Sequence, residues 1–577
     1  MARGSRRLKG RFRPTFTPDA PRRTLSAYER DFKASLDATG LVPIAVSTGL
    51  ADLSLTLDSS DIHSERGPSL FAIATALKTA IDCVADPYPL AFPLPKRDAA
   101  ALQAALHADG VDPDDFVTTK PNTPERVASA VRFATWLLAE NHAYQAPILN
   151  RVANTLVILG LKGFQRLEAL PEKTDHLFRE AVGITGYDYI LTLFGLWAKA
   201  RVDSLIDLPT FLPLQARDPD RREHLLAAVE ELSLRFDKYR DADVFPVAQT
   251  YTGKGRACAL FSRWPLIRLN ETQFMSAGHP FLKIQIGTKT LTKVLAFARK
   301  KEERPSTDYS TWAGHRLELF FGELCELWRP GEHFAEYEYM KQGNERSADR
   351  ILFEQHGSST VCCLFQLKLK MLSDASHFGA SSEAMQKDLA SSFSETIYKT
   401  IRFLVRASEA AKEGGLRYES ADLTRQILSA DRFCLIGIVP EMPSVFVFRD
   451  LRQQLLAEVL DHLRPAEREW FDRNSARCVW HVMDLDEFEF FLGLPADERH
   501  FYKRLTGYFR HAGVNGPLTN GGTLPSNFRS YLINKYGERN AEAGSPRLFA
   551  PVPDLLAIYE GMVEDVKGHF GLNPATP

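Results

Sequence analysis

A chain of 577 residues is too long for one ordinary hydrophobic core and predicts two to four domains. The composition, 44% hydrophobic and 25% charged, is that of a soluble globular protein. A formal net charge of −2 excludes a global positive field, so any nucleic-acid binding has to come from a local patch. The seven cysteines form no C-x-x-C pair, and Cys362 and Cys363 sit side by side in an apolar run. That usage suits a reduced core in the cytoplasm and argues against a zinc site. No stretch approaches about eighteen apolar residues without a charge, so neither a membrane span nor a membrane partner is expected.

Residues 1–24 carry Arg3, Arg6, Arg7, Lys9, Arg11 and Arg13 in "MARGSRRLKGRFRP" and predict a solvated, disordered basic tail. The tail lacks the apolar centre of a signal peptide, although an Arg-rich transit peptide and a nucleic-acid arm share its composition. Residues 25–250 read as a mainly helical domain. "ERVASAVRFATWLLAENHAY" repeats apolar residues at helical spacing after a Thr123-Pro124-Glu125 start, and "APILNRVANTLVILGLKGF" reads as a buried helix. "DRREHLLAAVEELSLRFDKY" is amphipathic, with Leu225, Val229, Leu232 and Leu234 near one face. No residue of this half forms a motif with a chemical use.

Residues 251–305 alternate short apolar runs with turn residues. They predict strand–turn–strand and then a helix, a strand-rich connector. From 306 to 500 the order of elements predicts an α/β sandwich around a mixed sheet. A helix over 312–328 carries the stripe Leu317, Phe320, Phe321, Leu324 and Leu327. "HFAEYEYMKQG" is a strand ending in a glycine turn, and residues 347–370 form two strands around a turn at Gly357. A long helix over 383–406 follows, then the strand "RFCLIGIVPEM". "RCVWHVMDLDEFEFFLGL" supplies a last strand and a helix opened by Asp484 or Asp486. Residues 501–577 read as a C-terminal helical extension.

The stretch "SADRILFEQHGSSTVCCLFQLKLK", Ser347 to Lys370, holds the only constellation with an evident chemical use. On its second strand Leu364, Gln366, Lys368 and Lys370 share one face and Phe365, Leu367 and Leu369 the other. Gln366 and Lys368 therefore point the same way, about 7 Å apart. Asp349 precedes the turn and can reach the same face. A carboxylate and an amide oxygen are hard ligands of the kind Mg²⁺ takes, and an ammonium beside them can act on a water or a phosphate.

This arrangement resembles the PD-(D/E)xK, restriction-endonuclease-like superfamily, most closely its Mrr-like branch with Gln-x-Lys. Asp349 matches the family aspartate, Gln366-Leu367-Lys368 the second motif, and Glu318 the acid often carried by the first helix. The resemblance covers about residues 314–448. It implies a restriction-endonuclease-like mixed sheet flanked by helices after the helical N-terminal half. It also implies a nuclease that hydrolyses phosphodiester bonds with Mg²⁺ or Mn²⁺, DNA as partner, and a role in bacterial phage defence or restriction with a defence-system partner protein. On this basis Asp349, Gln366 and Lys368 are the expected catalytic residues, and Glu318, Asp349 and Gln366 the expected metal ligands. Lys370, Lys399 and Arg402 are the expected contacts to the nucleic-acid backbone. Two departures are present, a common and minor one at Ala348 and a weightier one at Gln366. Ala348 stands where the family has proline, and Gln366 where it has an acid, which removes one ligand charge. The alternatives are a degenerate nuclease fold that acts as a nucleic-acid-binding or protein-interaction module, and a nuclease directed at RNA.

Overall fold

The structure, a computed structural model, describes residues 171–200, 205–215, 219–240, 254–290, 305–369, 382–440, 449–511 and 528–536, with a few isolated positions besides. The basic tail, the helices expected over 123–170 and Lys370 lie outside the described residues.

Two mixed sheets are present, and helices pack on both. The first uses strands of three or four residues: β1 (Leu205–Asp207), β2 (Ser233–Arg235), β3 (Leu266–Arg268) and β4 (Gln273–Ser276). Among the described residues its order is β1–β4–β3–β2, with β2 and β3 parallel and the other pairs antiparallel. Helices α1 (Gly186–Ala200), α2 (Pro219–Glu231) and α3 (Lys254–Arg263) belong to this half.

Two expectations are corrected here. The strand–turn–strand and following helix expected of the connector are present as β3, β4 and a helix at His279–Ile284, but residues 254–263 ahead of them form the helix α3. Ala257 to Ser262 are buried without interruption, so this helix is covered on every side, and a short apolar run does not reveal its period. The amphipathic helix expected to include Leu232 and Leu234 stops at Glu231, and β2 follows. There pairing with β3 overrides the helical pattern, with Leu234 opposite Ile267. The sheet thus joins strands from both sides of residue 250.

The second sheet follows α4 (Pro305–Trp328), which opens on a proline whose fixed φ suits the first turn. Its strands are β5 (His333–Ala335), β6 (Arg350–His356), β7 (Ser359–Leu367), β8 (Arg432–Val439) and β9 (Cys478–Asp484). They lie side by side in chain order. β5, β6 and β7 are antiparallel, and β7, β8 and β9 parallel. β6 and β7 are joined by a two-residue turn in which Gly357 takes φ 62°, a conformation only glycine adopts freely. Between β7 and β8 run α5 (Ser382–Phe393), a π-helical turn at Ser394–Tyr398, α6 (Lys399–Lys412) and α7 (Ala421–Ser429).

Val361 to Leu367 of β7 are buried without interruption, as a central strand covered on both faces should be. Phe365 faces α4, where it meets Phe321 at 5.4 Å and Trp328 at 6.2 Å. α8 (Leu485–Leu492) and α9 (Phe501–His511) add Phe488 and Phe501 to this aromatic core, and His481 packs there on Tyr508 and Phe509. Asp484 caps α8: its carboxylate accepts from Glu487 N–H, and the Glu487 side chain reaches back. The opposite face receives α5 and α6, with Phe393 against Trp480 at 4.7 Å. Gly437 sits beneath the π-turn. A Cβ there would come within 2.5 Å of Thr396 Oγ1, so the close approach depends on glycine.

Candidate functional site

Asp349 immediately precedes β6, and its carbonyl accepts from Glu336 N–H at 3.1 Å just past β5. Its carboxylate crosses to β7. Oδ2 accepts from the Gln366 amide at 2.6 Å and from Leu367 N–H at 2.5 Å. The register explains the contact. Arg350 pairs with Phe365, so the residue before Arg350 lies beside Gln366, on the sheet face opposite the aromatic core. Asp349 and Gln366 are both buried, at 4% and 7% exposure. The expected convergence of these two residues is therefore present, but Gln366 meets Asp349 as a hydrogen-bond donor.

Burial pushes the Asp349 carboxyl up to about 7. The Leu367 N–H opposes that rise, Glu318 and Glu336 add to it, and the Lys399 ammonium counters it. Glu318 is half-buried on α4. Its own carboxyl is raised by burial and by Glu336 and lowered by His315, 3.7 Å away. Arg350 ties α4 to the strand end by donating to the Glu318 carbonyl at 3.2 Å and to the Asp349 carbonyl at 2.8 Å. Gly322 leaves the room that its guanidinium fills. Asp349 thus senses the charge of Glu318 and Glu336, and Glu318 that of Glu336.

Lys368 follows β7, and its N–H donates to Ile438 of β8 at 2.9 Å. Its ammonium lies 2.5 Å from Glu395 Oε2 on the π-turn. Of the residues expected to contact a nucleic acid, Lys399 is exposed at the start of α6 and acts on Asp349 through space. Arg402 is half-buried and paired with Glu345 at 3.2 Å, a carboxylate it shares with Arg406. Lys370 lies outside the described residues.

The sequence reading missed Glu336 and Glu395. Glu336 belongs to "AEYEYM", where charge alternates with aromatics. That pattern marks a strand edge but not which acid turns inward. Glu395 was hidden by the π-turn, which shifts the phase of the helix so that 3.6-residue spacing does not locate it.

The donor chemistry suits a hard divalent cation: carboxylates at Asp349 and Glu318, an amide oxygen at Gln366, and an Asp349 carboxyl raised to about 7 chiefly by burial, with Glu318 and Glu336 adding to the rise. Among the described residues, no group of three or more His, Cys, Asp or Glu side chains is gathered closely enough to form a ready cage. No described helix is long and apolar enough to cross a membrane. Comparison of the chain with models of known families, with characterised proteins and with solved structures finds none that matches.

Proposed function

We propose that the chain is a metal-dependent nuclease that hydrolyses DNA phosphodiester bonds, with a restriction-endonuclease-like domain built on the second sheet. One observation carries this reading. Asp349, just before the first strand of the hairpin, is joined to Gln366 and Leu367 of the second, and Lys368 is the residue that follows. Asp349, with Glu318 and the Gln366 oxygen, would hold Mg²⁺ or Mn²⁺. A bound cation of this kind supplies Lewis acidity and a water of lowered pKa. Lys368 orients the attacking water and offsets charge building on the phosphate. The water oxygen bonds to phosphorus as the ester oxygen departs and takes a proton. Lys399, on the same side as Asp349, meets a neighbouring phosphate.

A second reading is favoured by the side-chain pairing itself. The Gln366 amide is spent on Asp349, and the Lys368 ammonium on Glu395. A nuclease fold that binds DNA or a defence partner without cutting would look the same.

The test is purified protein with plasmid, linear duplex, single-stranded DNA and RNA, each with Mg²⁺, Mn²⁺ or EDTA. Metal-dependent cutting of DNA is expected. Lys368→Ala and Asp349→Ala should each lower the rate on the order of 10²–10³-fold. Asp349→Ala should also abolish metal binding in calorimetry, whereas Lys368→Ala should keep it. Equal cutting by wild type and Lys368→Ala would assign the activity elsewhere. Cutting of RNA alone would redirect the substrate, and binding without cutting would select the second reading.

A further inference from the structure

We propose that Glu395 is the positioning residue of Lys368: a carboxylate built onto a π-turn to hold the motif ammonium at one place on the sheet face. The inference rests on the nuclease reading for its catalytic consequence, but its geometry stands apart from that reading. Lys368 ends a strand, so its backbone is fixed by the bond to Ile438. Its side chain has four rotatable carbons and keeps most of its freedom unless something holds the head group. Glu395 does so at 2.5 Å. The other oxygen of Glu395, Oε1, accepts from Ser391 Oγ at 3.1 Å, one turn earlier. The carboxylate is therefore oriented before it meets the lysine.

The turn that carries it is clamped as well. Thr396 Oγ1 donates to Ser392 carbonyl at 2.7 Å, and Thr396 rests on Gly437, the β8 residue in register with Gln366. The π-turn is thus fixed against β8, the neighbour of the motif strand, at the level of the motif. π-turns are uncommon interruptions that often mark functional positions. Here the interruption allows Glu395 to face Lys368 while Lys399, the first residue of α6, remains within electrostatic reach of Asp349.

The pair contributes little to stability. Lys368 and Glu395 remain 39% and 37% exposed, and ion pairs open to water to that extent are weak. The same exposure leaves the ammonium accessible to an incoming phosphate. An arrangement that adds little stability yet fixes one lysine at a proposed site fits positioning better than scaffolding.

The experiment compares wild type with Glu395→Gln, Glu395→Asp and Ser391→Ala, with and without Lys368→Ala. The first readout needs no nuclease activity: competitive acetylation of lysines, followed by mass spectrometry, with exposed Lys399 as internal reference. Glu395→Gln should raise the relative labelling of Lys368 severalfold, and Ser391→Ala should raise it less. The second readout separates single-turnover cutting from DNA affinity. Glu395→Gln should lower the rate by about 10²-fold, the scale of a 1 Å misplacement, with little change in affinity or melting temperature. Glu395→Asp should recover part of the rate. On the Lys368→Ala background Glu395→Gln should have no further effect, because the two act as a unit.

Unchanged labelling of Lys368 in Glu395→Gln overturns the positioning role. An unchanged single-turnover rate, or effects that add to those of Lys368→Ala, overturns its catalytic consequence. If the wild type cuts nothing while labelling rises as expected, the nuclease reading fails and the positioning of Lys368 stands.

Discussion

At the scale of the residue, Gln366 decides how the site behaves without a cation. Its amide donates to Asp349 Oδ2 at 2.6 Å, so a neutral group shields the buried carboxylate. Gln366→Glu replaces that donor with a second carboxylate in contact with the first. Two such groups cannot both ionise without a proton or a cation between them. The variant should therefore melt below wild type in EDTA and gain more melting temperature from Mg²⁺ than wild type does. Thermal unfolding of both forms across a Mg²⁺ titration measures this. An equal, negligible response would place the cation site elsewhere or nowhere. The sign also shows what the sequence could not reveal. Alternation along β7 puts Gln366 and Lys368 on one face, but a spacing does not say whether an amide turns its oxygen or its nitrogen toward its neighbour. Nor does it say that Lys368 is held by an acid twenty-seven positions later.

At the scale of the element, the mixed sheet was the most legible part of the chain. The Gly357 turn, the apolar β7 and β8, and the strand–helix boundary at Asp484 each follow from local chemistry: a turn residue, a continuous apolar run, a capping box. Strands of three residues, such as β1 and β2, leave no period to read, and the continuous burial of α3 hid its helical period in the same way. A further joint was invisible because it links residues far apart in sequence. Glu354 on β6 is buried, and its two carboxylate oxygens accept from Phe501 N–H and Tyr502 N–H at 2.8 and 2.9 Å. It caps α9 from across the core. Glu354→Ala leaves two buried donors without a partner, at a cost of about 1–3 kcal/mol each. Hydrogen exchange should quicken across residues 501–511 while the β7–β8 ladder keeps its protection. Uniform loss of protection would show that the helix and sheet unfold as one unit.

At the scale of the whole molecule, charge would set the manner in which the proposed nuclease holds a nucleic acid. The formal net charge is −2, and several basic groups near the site are already engaged: Arg350 by carbonyls, Arg402 and Arg406 by Glu345. Among the described residues at the proposed site, few cations remain to replace counterions on DNA. The logarithm of affinity should therefore fall only shallowly with the logarithm of salt, with a slope of about −1 to −3, near one unit per phosphate contacted. Fluorescence anisotropy with a labelled duplex at several salt concentrations checks this. A slope near −10 would demand a broad basic surface in residues other than those at the described site.

The order of the second sheet also fixes a sequence of events in the newborn chain. β6 and β7 meet across a two-residue turn, so their hairpin can close as soon as it is made. Its other neighbour, β8, begins at Arg432, and β9 at Cys478, so each parallel ladder waits until a long helical crossover has been synthesised and packed. Closing such distant pairings costs entropy before any contact is gained, and folding slows accordingly. Until then the β8-facing edge of β7, with its row of unpaired N–H and C=O groups, stands open to strands of other chains. The strand that bears Gln366 is thus exposed to aggregation during synthesis until α5, the π-turn and α6 fold over it and β8 pairs with it.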